Sequence, residues 1–242
     1  MKLRIRSTKL GKVRFVSHRD GARIWERALR KVGLPTAHSA GFTPRPKISF
    51  GLALPTGAES IAEYVDVELR DGEAPDLDVF RAQLSDELRV RLSDALPEGI
   101  DVTVVVERPD WDESLQEAVT SCTWELWSDE LTPADIGAAV ALLDADQLMI
   151  ERERKGQRRT DDIRPLVLDL HPDATGHRLV AELATVGRAV RPSELASLAF
   201  ADVDPLDVRA LRTHQWISLD GDRREVLSLP AAMAAPTLGV GA

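Results

Sequence analysis

The 242-residue chain contains a single cysteine, Cys122, and that scarcity is the first constraint on its chemistry. One thiol cannot build a disulfide framework, nor an all-cysteine zinc or iron–sulfur site within one chain. Cys122 sits in an apolar–polar alternation, the setting of a buried, inert thiol rather than a nucleophile. Long apolar runs are missing too: none reaches the roughly 18–20 residues that span a bilayer. The opening Met1-Lys2-Leu3-Arg4 alternates polar and apolar residues and lacks the apolar core of a signal peptide, so the expected setting is the cytoplasm, away from membranes. No glycine-rich loop with its Lys-Ser/Thr follows a strand pattern, and neither a Gly-x-Ser-x-Gly elbow nor a His-Glu-x-x-His helix occurs. The five histidines are scattered, only His171 and His177 flanking one turn, and no metal or cofactor is expected.

What is present is an uneven distribution of charge. Met1 to Gly51 carries 13 Lys and Arg against Asp20 and Glu26, a net of +11; the whole chain is −9, so the other 191 residues carry −20. This pattern describes one basic surface on an acidic body, and its first candidate partner is a polyanion such as RNA. Arginine outnumbers lysine, which fits bidentate phosphate recognition or a GC-rich genome equally well.

Leu3, Ile5, Val13 and Phe15 alternate with basic residues, predicting strands over 2–7 and 12–16 that display Lys12 and Arg14. Ser17-His18-Arg19-Asp20 is a capping-box variant opening a helix to about Val32, stopped by Gly33 and Pro35. Ala22, Trp25, Leu29 and Val32 form its apolar face, while Arg19, Arg23, Arg27 and Arg30 recur on another. Four guanidiniums on one stripe repel one another unless an anion lies near, although a solvated face partly neutralised by Glu26 is the plainer alternative. In the following segment, SAGFTPRPK, two prolines stiffen the backbone around Arg45 and hold Arg45 and Lys47 outward at low ordering cost. Strands follow at Ile48–Leu52 and at 62–69. In the second of these, Tyr64, Asp66 and Glu68 share the face opposite Val65, Val67 and Leu69, which point inward. A helix from Asp76 or Asp78 to Ser93 and a strand over Ile100–Val106 complete a strand–helix–strand–strand–helix–strand order.

The second half shows strands at 119–127, from Leu148, at Ile163–Leu170 and at Leu179–Leu183, with helices from Thr132-Pro133, from Pro192, and from Asp204 or Pro205 to Thr213. Trp216, Ile217 and Leu219 suggest a last short strand. A charged hairpin tip presents Arg154, Arg158 and Arg159, either as a nucleic-acid contact that would complete a groove with the arginine stripe or as a charge-protected strand edge. The expected fold is α+β, with two ferredoxin-like (split βαβ) halves carrying antiparallel sheets. The expected boundaries are 1–108 for the basic-faced half, 109–117 for a linker, 118–229 for the second half and 230–242 for a disordered tail.

The motifs KVRFVSHRD (12–20), RALR (27–30), GLP (33–35), GFTPRPKISFG (41–51) and DIRPL (162–166) resemble the bacterial radical-SAM-linked protein family, an uncharacterised group. Gly21 stands where that family has leucine, which weakens the helix slightly and moves no site. The resemblance implies an accessory role beside a separate radical SAM protein, with a ribonuclease E/G-type enzyme as a further partner. Radical SAM chemistry needs three closely spaced cysteines, which a chain with one cannot supply. The reading is a non-catalytic RNA-binding accessory protein acting in tRNA or rRNA modification. Its alternatives are an adaptor docking an acidic protein, and a metal-independent RNA-processing enzyme using His18 as general base.

Overall fold

The computed structural model describes residues 1–72, 85–108, 114–154, 157–187 and 189–227. The start of the helix expected from Asp76 or Asp78, most of the expected linker, the hairpin tip at Lys155 and Gly156, and the expected tail lie outside these. The chain divides into two units. The first takes Met1–Ala53, Glu63–Leu115 and the segment from Glu225; the second takes Leu54–Ala62 and Gln116–Arg224. The architecture is mixed α and β, with mostly antiparallel pairing.

In the first unit, strand β1 (Lys2–Lys9) pairs antiparallel with β4 (Val102–Glu107), Leu3 facing Glu107 and Ile5 facing Val105. Strand β2 (Ile48–Phe50) pairs antiparallel with β3 (Glu59–Glu68), Ile48 facing Val67. The neighbour order is β4-β1-β3-β2. Helices α1 (His18–Lys31) and α2 (Ser85–Ala95) supply Trp25, Leu29, Leu88 and Leu92 to a core with Leu3, Ile5, Val65, Val67 and Val102. Each such side chain contributes about 1.5–3 kcal/mol on burial.

Two expectations fail here. Residues 12–16 form no strand: Gly11–Phe15 is a 3-10 turn that buries Val13 and leaves Phe15 exposed, and it starts at a Gly11 with φ of 64°. The Tyr64–Asp66 face of β3 does not meet water either. Tyr64 is 2% and Asp66 8% exposed, because the opposite face of β1 also lies inside, with Arg4 and Arg6 wholly buried. Alternation of polar and apolar residues signals a half-exposed strand only when the polar side chains lack buried partners, and here they have them.

In the second unit, strands β5 (Val119–Trp127), β8 (Val167–Pro172), β9 (Leu179–Ala184) and β10 (Arg209–Leu219) lie in the order β10-β5-β9-β8, antiparallel throughout. The first residues of β3 pair in parallel with β10, Leu211 facing Glu59. Beyond the helical turn α3 (Leu115–Ala118), helix α4 (Pro133–Ala139) begins with the expected Thr132 cap, which forms a capping box with Asp135, and packs on β8 and β9. Helix α5 (Pro192–Ala199) packs on β5. Strands β6 (Met149–Arg154) and β7 (Gln157–Asp162) make a separate hairpin.

The helix expected from Asp204 or Pro205 to Thr213 is absent: its second half, 209–213, lies in β10, where Leu211, Arg212 and Thr213 are buried. Gln215 of the same strand donates to the Ala62 carbonyl at 2.6 Å. Short β11 (Asp222–Glu225) returns against β10 through Asp220 and Gly221, both at positive φ, an Asp-Gly hairpin signal that is visible in the sequence.

Candidate functional site

Helix α1 carries the most regular basic surface. Ser17 caps it, its hydroxyl accepting the Asp20 backbone N–H at 3.2 Å and donating to the Asp20 carboxylate at 2.7 Å. Burial of Trp25, Ala28 and Leu29 fixes the inner face, and this leaves Arg19, Arg23, Arg27 and Arg30 all exposed. Only Arg23 has an acidic partner, Asp20 at 3.3 Å, an exposed pair of little energetic consequence. Arg19, Arg27 and Arg30 make no ion pair with any described residue. The stripe expected from sequence is therefore present and uncompensated.

The second basic feature is the loop before β2. Its base is closed by three backbone hydrogen bonds: Lys47 N–H to Ala37, Ser39 N–H to Arg45 (both 2.8 Å), and Glu68 N–H to Lys47 at 3.1 Å. The Ser39 hydroxyl accepts the Arg45 N–H at 3.1 Å. Beside this base lies a cleft of about 490 Å³, lined by Lys2, Arg45, Lys47 and Arg108 together with Ser39, Ser49, Asp66 and Glu68. Its two acids are already engaged. Asp66 receives the buried guanidinium of Arg4, and Glu68 pairs with Lys47 at 2.7 Å. The Lys47 hydrogen bond, which outweighs the opposing effect of burial, holds the Glu68 carboxyl below its ordinary range. Lys2 and Arg45 remain exposed on the rim, and Arg108 approaches Asp66 at 3.4 Å.

The other sequence candidates divide by surroundings. Lys12 is exposed on the 3-10 turn, and the Arg14 guanidinium lies 4.7 Å from the Phe15 ring centre. Arg158 and Arg159 are exposed on β7, and Arg154 ends β6; all three belong to the second unit. His18 is exposed and packs edge-on against Phe50 at 5.3 Å. No hydrogen bond joins it to Asp20, whose carboxylate serves Ser17 and Arg23.

Sequence reasoning missed four features. Arg4 and Arg6 belong to the basic count yet never reach the surface: Arg6 pairs with Glu225 at 2.8 Å and donates to the Leu227 carbonyl at 2.5 Å. Lys2 and Arg108, distant from the loop in sequence, join its cleft. Phe42, at the loop's tip, is 107% exposed. In the second unit, arginines lie over tryptophans: Arg178 and Arg209 over Trp127, at 4.3 and 4.8 Å, and Arg223 over Trp216 at 3.6 Å. Arg178, Arg209 and Arg223 are also paired with Glu125, Glu59 and Glu182, so this ladder is internally satisfied. Among the described residues no group of His, Cys, Asp and Glu is arranged to hold a metal ion, and no helix is long and apolar enough to cross a membrane.

Residues 2–192 match the model of a family, DUF2344, described as an uncharacterized protein conserved in bacteria. No curated protein matches the chain.

Proposed function

We propose a function for a chain that belongs to the DUF2344 family: it is a non-catalytic RNA-binding accessory protein that works with a separate radical SAM enzyme in tRNA or rRNA modification. One observation carries the RNA-binding part. Arg19, Arg27 and Arg30 stand exposed on one helical face without acidic partners, in the same unit as a cleft rimmed by Lys2 and Arg45. Uncompensated arginines at helical spacing suit a phosphate backbone, whose negative charges relieve their mutual repulsion while its condensed counterions are released. The radical SAM partner rests on the sequence resemblance; with one cysteine, this chain cannot itself supply the three that such a cluster needs. The neighbour orders β4-β1-β3-β2 and β10-β5-β9-β8 support reading each half as a split βαβ, ferredoxin-like arrangement, the second with the β6–β7 hairpin inserted.

The test is a salt titration of binding to bulk cellular RNA by the parent and by an Arg23→Ala/Arg27→Ala/Arg45→Ala variant. Removing one phosphate-binding cation should reduce the log–log salt slope by about one unit. Equal affinity and equal slope in the two proteins would sink the reading. Nuclease-resistant co-purification with an acidic protein, without nucleic-acid absorbance, would replace it with the adaptor reading.

A further inference from the structure

Among the large apolar side chains of the described residues, Phe42 is the one most completely in water. It sits at the middle of the Ala40–Pro44 tip, a short excursion whose ends are tied together by the Ser39–Arg45 hydrogen bonds. The ring covers no described core residue, and its neighbours Gly41 and Thr43 are exposed too. The backbone around it is nonetheless constrained. Pro44 and Pro46 fix their own φ and hold Thr43 and Arg45 extended, and Gly41 takes a φ of 130° that an L side chain rarely adopts. The ring is thus presented by a stiffened loop, which lowers the ordering cost of any interaction it makes.

Three residues along is Arg45, so the two Cα atoms are at most about 11 Å apart. Arg45 lies exposed on the rim of the cleft with Lys2, and Arg108 lines its wall beside Asp66, so the lining carries four cations against the two engaged acids Asp66 and Glu68. An exposed aromatic face beside a basic cleft is the pairing that single-stranded nucleic acid requires: a base stacks on the ring while the adjoining phosphate enters the cleft. A duplex keeps its bases stacked on one another and offers no free face to the ring.

We propose that Phe42 and the Lys2–Arg45–Arg108 cleft form a subsite for one unpaired nucleotide, with Phe42 stacking on the base. The RNA bound by this chain therefore presents a loop, bulge or single-stranded end at this position. This inference rests on the RNA-binding reading above and specifies which form of RNA is bound.

The experiment measures fluorescence-polarisation affinity of the full chain for a fluorescein-labelled single-stranded oligouridine and for a labelled RNA duplex. Four proteins are compared: the parent, Phe42→Ala, Phe42→Trp and Arg23→Ala/Arg27→Ala. Loss of one stacked base should weaken Phe42→Ala on the single strand by roughly five- to 150-fold, while Phe42→Trp keeps parental affinity or exceeds it. On the duplex, Phe42→Ala should match the parent. Because the ring packs against no described residue, thermal unfolding of Phe42→Ala should also match the parent. If Phe42→Ala binds the single strand as the parent does while Arg23→Ala/Arg27→Ala is weakened, the stacking subsite is overturned and RNA binding stands. If the parent binds neither RNA, both the subsite and the reading beneath it are overturned.

Discussion

Arg4 and Asp66 meet edge to edge inside the first unit: Nε donates to Oδ1 at 2.7 Å and Nη2 donates to Oδ2 at 2.8 Å. Arg4 is wholly buried and Asp66 is 8% exposed, so each ion depends on the other for the solvation that water no longer provides. The pair also shapes the cleft. It occupies both oxygens of an acid in the wall, which Arg108 also approaches at 3.4 Å, and leaves Lys2 and Arg45 as the exposed cations of the rim.

Removing one member should therefore be far costlier than removing both. Asp66→Ala strands the Arg4 guanidinium and should lower stability by about 3–5 kcal/mol in urea unfolding. An Arg4→Met/Asp66→Leu double variant should recover most of that loss. A double variant no more stable than Asp66→Ala alone would show that the pair does not act as a unit.

Arg45 and Lys47 read alike in the sequence but differ in the fold. Lys47 is held by Glu68 at 2.7 Å, whereas Arg45 makes no ion pair with any described residue. Arg45→Ala should reduce both the RNA affinity and the salt slope, the latter by about one unit. Lys47→Ala should change both less, because Glu68 already neutralises that cation in the free protein. The ranking is read from parallel salt titrations, and the reverse order would contradict it.

Two carboxyls should act on stability with opposite pH dependence. Burial pushes Glu225 above its ordinary 4.5 despite the opposing charge and hydrogen bond of Arg6. Its contribution is full below that unfolded value and is lost as pH rises through the raised folded one. Asp162 is held below its ordinary 3.8 by the backbone N–H groups of Leu148 and Arg164, so its contribution is present above 3.8 and is lost as pH falls through the depressed folded value. Unfolding midpoints measured from acid to neutral pH should show Glu225→Gln flattening the upper limb and Asp162→Asn the lower one.

Gly99 should tolerate no side chain. Its φ is 91°, a Cβ there would stand 2.3 Å from the Leu10 carbonyl oxygen, and its own carbonyl accepts the Leu10 N–H at 2.8 Å. Gly99→Ala should cost about 1–3 kcal/mol for the backbone conformation alone, with the displaced Leu10 peptide adding to it. Thermal unfolding checks this, and an unchanged midpoint would refute the close approach.

Local signals are legible wherever structure follows from neighbours in sequence. Ser17 and Asp20 are three residues apart, and the cap forms where their spacing places it. Thr132, Pro133 and Asp135 likewise write the start of α4 into four residues. In β5, alternation identifies Cys122, Trp124 and Leu126 as one face, and all three are buried. The stretch 204–213 is deceptive because its apolar spacing suits a helix, while its place beside β5 and the start of β3 gives its backbone groups partners far away in sequence.

The sequence by itself determined the mixed α/β alternation, the arginine stripe on α1 and the stiff basic loop, because helical period, capping and proline geometry are local properties. Only the tertiary structure decided which basic residues stay exposed. Arg4 finds its acid 62 positions away and Arg6 its carbonyl 221 positions away, so neither burial has a local signature. The cleft is assembled from residues as distant as Lys2 and Arg108, and Phe42 is left in water by a loop closed at its base. Charge composition counts cations, whereas long-range pairing determines which of them remain uncompensated.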